Sequence, residues 1–267
     1  MKYKIDHDLH IHSYLSTCSN DPDQNPENLL RLAERDGLSV LCLTDHFWDS
    51  DVPGASEWYQ PQNYKHVSQI LPLPQSESVK LWFGCETDLD KHMRLGISKE
   101  RINRFDFVII PTTHLHMPDN IDVADRTLGG RAQKYAERLD GVLDMDLPFH
   151  KIGIAHLTTH LIAPDHFEDH LKVLEMITDD TFRRLFEKAA QKGPGIELNF
   201  HLSAYTPQQQ EVILRPYRIA KECGCKFYFG SDAHHPSSLD DRLENFTKIR
   251  DILELEESDR FDPFIAK

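Results

Sequence analysis

Seven short apolar runs punctuate the chain, and the longer stretches between them carry apolar residues at helical spacing. The runs cover residues 3–9, 39–43, 79–83, 105–110, 151–155, 195–199 and 226–230. Short runs rich in Val, Ile, Leu and Phe suit strands buried on both faces. Strands that alternate with helices call for a parallel sheet with helical crossovers. The helix signals are local. Asn25-Pro26 places an N-cap side chain before a proline at the first helical position, and Gly37 ends that helix. Thr206-Pro207-Gln208-Gln209 has the form of a capping box, opening a helix to about residue 223. Further helices are expected near 65–71, 130–143, 165–177, 181–191 and 239–255, the first of them inside a long loop over 48–78 that is rich in Pro, Ser and Gln. No break in composition divides the chain. The expected fold class is α/β, a distorted (β/α)7 TIM-like barrel forming a single domain over residues 1–267, with an open doubly wound sheet as the structural alternative.

Charge narrows the partners. The formal net charge of -14 repels nucleic-acid backbones and anionic membranes, so no duplex nucleic acid and no membrane are expected. No apolar run approaches the length of a membrane span, and the first residues lack the apolar stretch of a signal peptide. The five cysteines, Cys18, Cys42, Cys85, Cys223 and Cys225, form an odd set without a Cys-x-x-Cys pair, so a reduced, cytoplasmic setting is expected. Cys223-Gly224-Cys225 sits at a helix end and reads as packing. No P-loop, no Gly-x-Ser-x-Gly elbow and no dinucleotide fingerprint is present.

The sixteen histidines need an account. Many fall just after the apolar runs, in Asp8-Leu-His10-Ile-His12, Thr44-Asp45-His46, Thr112-Thr113-His114, His156 and Asp232-Ala-His234, and Glu86 follows the third run. In a parallel barrel these positions share one rim. Imidazole and carboxylate donors suit Zn, Mn or Fe. His10 and His12 are two apart on a strand, as are Asp232 and His234, so each pair shares a face. Singly, each donor reads as an ordinary surface or core polar group; their joint placement argues for metal. His114 is preferred to His116 because it is closer to the strand. Asp45 reads either as a turn residue or as a partner orienting a ligand His. His7, His66, His92, His150, His166 and His170 read as structural or solvated. His160, His201 and His235 are candidates for substrate contact or proton donation. Arg126, Arg131 and Lys134 form a small basic group that reads better as a solvated helix face than as a phosphate clamp, with Arg131 the candidate phosphate contact.

The order of these motifs resembles the PHP (polymerase and histidinol phosphatase) superfamily. The resemblance rests on Asp8-Leu-His-Ile-His12-Ser13, Leu43-Thr-Asp-His46, Gly84-Cys-Glu86, His114, His156 and Gly230-Ser-Asp-Ala-His234. It implies a distorted seven-stranded barrel, two or three divalent ions (Zn, Mn or Fe) and phosphoester hydrolysis. Carried over by position, it implies that His10, His12, Glu86 and Asp232 surround one metal, that Glu86, His114 and His156 hold a second, and that His46 and His234 hold a third. Trinuclear members supply one more His shortly after the first motif. This chain has Ser16-Thr17-Cys18-Ser19-Asn20 there, which leaves Cys18 as the candidate extra ligand.

The expected reaction is hydrolysis of a small phosphomonoester, histidinol phosphate or a nucleotide, by attack of a metal-bound hydroxide at a bi- or trinuclear site. His234 or His235 is the candidate general acid; Arg131, His201 and His235 are the candidate substrate contacts. Two alternatives stand beside this: a metal-dependent amide or C–N hydrolase of related barrel type, and a non-catalytic metal-binding domain serving a partner protein.

Overall fold

The structure, a computed structural model, describes residues 1–263; the last four residues of the expected 1–267 domain lie outside the described residues. Its strands are β1 (His7–Ile11), β2 (Val40–Leu43), β3 (His46–Phe47), β4 (Lys80–Thr87), β5 (Phe107–Pro111), β6 (Ile152–Ala155), β7 (Gly195–Leu198) and β8 (Lys226–Phe229). All pair in parallel, in the order β1-β2-β4-β5-β6-β7-β8, with β3 also on β4. Because β2 and β3 lie end to end along β4, they form one interrupted strand, and the expected count of seven is observed. The seam between β8 and β1 is drawn together by Asp232 N–H donating to His10 O (2.7 Å) and His12 N–H donating to Ala233 O (3.0 Å). The sheet is thus nearly closed into a barrel, and the open-sheet alternative does not apply.

The helices are α1 (Pro26–Arg35), α2 (Tyr64–Val67), α3 (Lys99–Ile102), α4 (Leu128–Asp144), α5 (Asp169–Met176), α6 (Asp179–Lys192), α7 (Pro207–Glu222) and α8 (Arg242–Ile252). Asn25 caps α1 by accepting from Asn28 N–H, and the capping box at Thr206 is complete. Two strand boundaries differ from expectation for tertiary reasons. The first strand starts at His7 because Tyr3 instead docks beneath the barrel, its hydroxyl donating to Phe227 O at 2.6 Å. The third expected strand, here β4, continues past Phe83 because Gly84, Cys85 and Glu86 pair with Phe107, Val108 and Ile109.

Alternation along the strands separates two cores. Leu9, Cys42, Trp82, Phe107, Ile109, Ala155 and Tyr228 meet inside the barrel, with Phe261 packed against them. Their strand neighbours, such as Leu41, Leu43, Val108, Ile110, Ile154, Ile196 and Phe227, face the helices. Gly153 takes an inward position on β6, where a Cβ would fall 2.6 Å from the Phe107 ring; the aromatic plug leaves no room for a side chain there.

β1 breaks the alternation once. Asp8 pairs with Leu41 and Ile11 with Leu43, so Leu9 and His10 together oppose Cys42. This bulge re-aims the strand. Before it, Leu9 points inward and Asp8 reaches outward to Arg242 of α8 at 3.2 Å. After it, His10 and His12 point inward above the plug and Ile11 points out.

Candidate metal centre

Glu86 is the hub of the rim. It lies two residues beyond Gly84 on the inward face of β4 and is fully buried. Its Oε1 is 3.1 Å from His156 Nε2 and 3.8 Å from His114 Nε2. Its Oε2 is 2.9 Å from His46 Nδ1, 3.5 Å from His12 Nε2 and 3.6 Å from His10 Nε2. Asp232 Oδ1 lies 3.1 Å from His12 Nε2 and 3.4 Å from His10 Nε2. Four overlapping donor groups result, each with its ligand atoms within 4.8 Å of one another: His10, His12 and Glu86; Glu86, His114 and His156; His12, His46 and His234; and His10, His156 and Glu197. The structure therefore gathers at one rim all eight residues singled out as metal ligands.

The donor chemistry fits divalent metal. His10 Nε2 and His12 Nε2 face each other at 3.2 Å. Glu86 Oε2 and His46 Nδ1 are buried with no hydrogen-bond partner among the described residues, although they lie close together. Buried polar atoms without partners are costly, and convergent imidazole and carboxylate donors are what Zn, Mn or Fe require.

Outer partners orient the rings. His12 Nδ1 meets Ser16 Oγ at 2.8 Å, and that hydroxyl donates to Asp45 Oδ1 at 2.7 Å. Asp45 also accepts from Ser13 N–H and Ser13 Oγ, so it organises the loop after β1. His114 Nδ1 meets Asp88 Oδ2 at 3.1 Å, and Arg138 and Asn120 donate to the same carboxylate. His234 Nδ1 meets its own loop at Asp232 O, 2.8 Å away. His10 Nδ1 meets Glu197 Oε1 at 2.5 Å, and His156 Nδ1 faces the Asn199 amide at 2.8 Å. Five rings thus present Nε2 inward. Glu197 escaped the sequence reading, and Asn199, though at a strand end, was not among the expected ligands. The available signal was a lone acid inside an otherwise apolar buried run, Gly195-Ile-Glu-Leu.

Two rim residues are backbone-strained. His156 and Asp232 have φ of 64° and 54°, a region that disfavours any residue with a Cβ. Such strain persists only where surrounding contacts impose it.

Charge is strongly coupled at the rim. Burial would raise the Asp232 carboxyl, but His10 and His156 hold it well below the usual carboxylate range. Burial disfavours the His46 imidazolium, yet the Glu86 carboxylate pushes its pKa up to about 10. The Cys18 thiol, opposed by burial, is brought down to about 7 by hydrogen bonds with His234 and His46. Cys18 therefore stands beside the two residues it was expected to join.

A cleft of about 310 Å³ opens over this rim, lined by Cys18, His46, Trp58, Tyr59, Glu86, His114, His116, Met117, His156, His160, Leu161, Asp232 and His234. A recess of about 660 Å³ adjoins it, sharing Trp58 and Met117. His116 and His160 thus belong to the mouth. Three expected substrate contacts do not line the cleft. Arg131 is buried, its guanidinium donating to Leu115 O, Ile162 O and Arg126 O, so it ties the loops after β5 and β6 together. His235 is largely exposed, with Nε2 2.6 Å from Asp21 and Nδ1 2.8 Å from Ser237, so its ring is engaged outside the cleft, away from both the substrate-contact and the general-acid positions expected of it. His201 is exposed and also lies outside it. Arg126 and Lys134 likewise bond elsewhere, to Pro118 O and to Glu137. Among the histidines read as structural, His7 accepts from Phe229 N–H and His66 meets Leu15 O.

Comparison with known proteins places these residues in a family context. Residues 8–201 match the family profile described as "PHP domain". The chain is 27% identical over 260 residues to a Deinococcus radiodurans protein named "Probable histidinol-phosphatase", covering 92% of this chain and 93% of that one. It is 22% identical over 234 residues to a "Probable phosphatase" of Caldicellulosiruptor bescii, covering 87% and 81%. Among solved structures, it superposes with a TM-score of 0.62 and 17% identity on histidinol phosphate phosphatase from Lactococcus lactis, in complex with Zn, L-histidinol and phosphate, over 96% of this chain and 98% of that one.

Proposed function

The chain belongs to the PHP domain family, and from that membership we propose that it is a metal-dependent phosphatase acting on a small phosphomonoester, with histidinol phosphate the first candidate and nucleotides the second. The observation that carries this reading is Glu86. Its two buried oxygens face different sets of imidazoles, and one of them has no hydrogen-bond partner among the described residues. A carboxylate so placed suits a bridge between two ions.

His10, His12, Glu86 and Asp232 would hold one metal, and Glu86, His114 and His156 a second. His46 and His234, with Cys18 beside them, would hold a third. When bound, the ions supply activation of water and neutralisation of phosphoryl charge. That supply matters here because no Lys or Arg lines the cleft among the described residues. Trp58, Tyr59, Met117 and Leu161 form an apolar wall against which the leaving group packs. His160 stands at the mouth, outside the donor array, and takes the proton-donor role first considered for His234 and His235. Residues 1–267 act as one barrel domain in the cytoplasm, and no helix among the described residues is long and apolar enough to cross a membrane.

Elemental analysis followed by phosphate release tests the reading. Metal-replete protein should release phosphate from histidinol phosphate or a nucleoside monophosphate. Metal-replete protein inert toward a broad panel of phosphomonoesters would refute it, and turnover of amide or ring C–N substrates would point to the rival hydrolase class.

A further inference from the structure

The deepest part of the donor array is supported by β7, the strand from which no metal ligand was expected. Glu197 is fully buried there. Its Oε1 lies 2.5 Å from His10 Nδ1, and its Oε2 accepts from the His156 backbone N–H at 3.2 Å. One carboxylate therefore ties together two rim elements that do not pair with each other, β1 and the end of β6. Two residues further, on the same face by strand alternation, Asn199 places its amide 2.8 Å from His156 Nδ1.

As placed, Asn199 directs Nδ2 at that nitrogen and leaves Oδ1 buried without a hydrogen-bond partner among the described residues. The two ends of an amide are nearly identical in shape, and the bonding network decides between them. Exchanging them sets Oδ1 against an Nδ1–H and satisfies both groups. His156 then carries its proton on Nδ1 and offers a free Nε2 lone pair, 3.1 Å from Glu86 Oε1. A neutral imidazole has one N–H and one lone pair, so an acceptor behind Nδ1 selects which nitrogen can bind metal.

We propose that Glu197 and Asn199 are positioning residues that set the tautomer and orientation of His10 and His156, so that both rings present Nε2 to the metal centre. The proposal rests on the reading of those rings as metal ligands. Glu197 lies within metal-ligand reach of His10 and His156, but it approaches both at Nδ1, behind the rings, whereas Nε2 of His10 faces Glu86, Asp232 and His12. The packing leaves little slack. A Cβ at Gly230 would fall 2.5 Å from both Glu197 Oε1 and His10 Cβ, so the chain just past β8 packs directly against the pair and has no side chain of its own at that point.

Zn²⁺ affinity measured by chelator competition on the full chain tests this, with thermal unfolding of the metal-free proteins run alongside. Glu197→Gln and Asn199→Leu should weaken Zn²⁺ binding by about 10- to 100-fold, the usual effect of removing a group that orients a ligand. Asn199→Asp keeps an acceptor at the same place and should stay within a few-fold of the parent. The metal-free variants should unfold near the parent temperature. Equal weakening by Asn199→Asp and Asn199→Leu would overturn the proposal. So would unchanged affinity in Glu197→Gln, or affinity lost only in step with stability. If Glu197→Gln does not fold, the Asn199 pair decides, because both residues act on His156. A parent protein that binds Zn²⁺ but releases no phosphate would refute the phosphatase reading and leave this test intact.

Discussion

Glu86 Oε2 lies 2.9 Å from His46 Nδ1, yet the two atoms share no hydrogen bond, and both are buried. On the proposed assignment the two are ligands of neighbouring ions. Glu86→Gln keeps the shape and removes the charge. It should lose metal by elemental analysis, and phosphate release should fall by more than about 100-fold, exceeding the usual loss for an outer partner. Full metal content in this variant would contradict the bridging role.

Cys18 differs from the other cysteines. It is exposed at the cleft with a pKa of about 7, whereas burial pushes Cys225 up to about 12 and also raises Cys42, Cys85 and Cys223. The thiolate is the reactive form, so it accumulates as pH rises through about 7. In metal-free protein, iodoacetamide should label Cys18 first, faster at pH 8 than at pH 6. Added Zn²⁺ should slow labelling if the thiolate joins His46 and His234. Peptide mass mapping reads both effects.

The positive φ at Asp232 predicts a difference between two otherwise similar variants. Asp232→Ala and Asp232→Gly both remove the carboxylate and should both lose metal. Only glycine adopts that backbone without a Cβ penalty, so the metal-free Gly variant should be the more stable of the two by about 1 kcal/mol. Denaturant unfolding of both proteins measures it.

Asp6, beneath the barrel, predicts an acid limb of stability. Burial opposes its charge, but His7, Lys4 and Arg260 hold its carboxyl well below the usual range, with Arg260 2.8 Å and Lys4 2.9 Å away. A carboxyl depressed in the folded state contributes stability above its unfolded pKa and loses it as pH falls through the folded value. Asp6→Asn should therefore cost about 1–2 kcal/mol at pH 7. The difference should shrink as pH falls below the ordinary carboxylate range. An equal difference at pH 7 and pH 2 in urea titrations would contradict the assignment.

The donor residues were legible before any coordinates because parallel βα units carry the C-terminal end of every strand to one rim. A residue's place after an apolar run then locates its side chain. His10, His12, His46, Glu86, His114, His156, Asp232 and His234 all follow that rule. What the chain order could not reveal depends on partners distant in sequence. By strand parity Asp8 should share a face with His10. The bulge, imposed by pairing with β2, turns Asp8 toward Arg242 instead. Arg131 and His235 carried the right chemistry for a phosphate, but carbonyls on two other loops and the Asp21 carboxylate engage them. Glu197 sits inside an apolar strand, and its partner His10 is nearly the whole barrel away in sequence, so only the fold brings the two to hydrogen-bond distance. Local spacing thus determined which residues the rim would gather. Only the tertiary structure decided which polar groups face the cleft and which hold the others in place, because a hydrogen-bond partner is chosen by proximity in space.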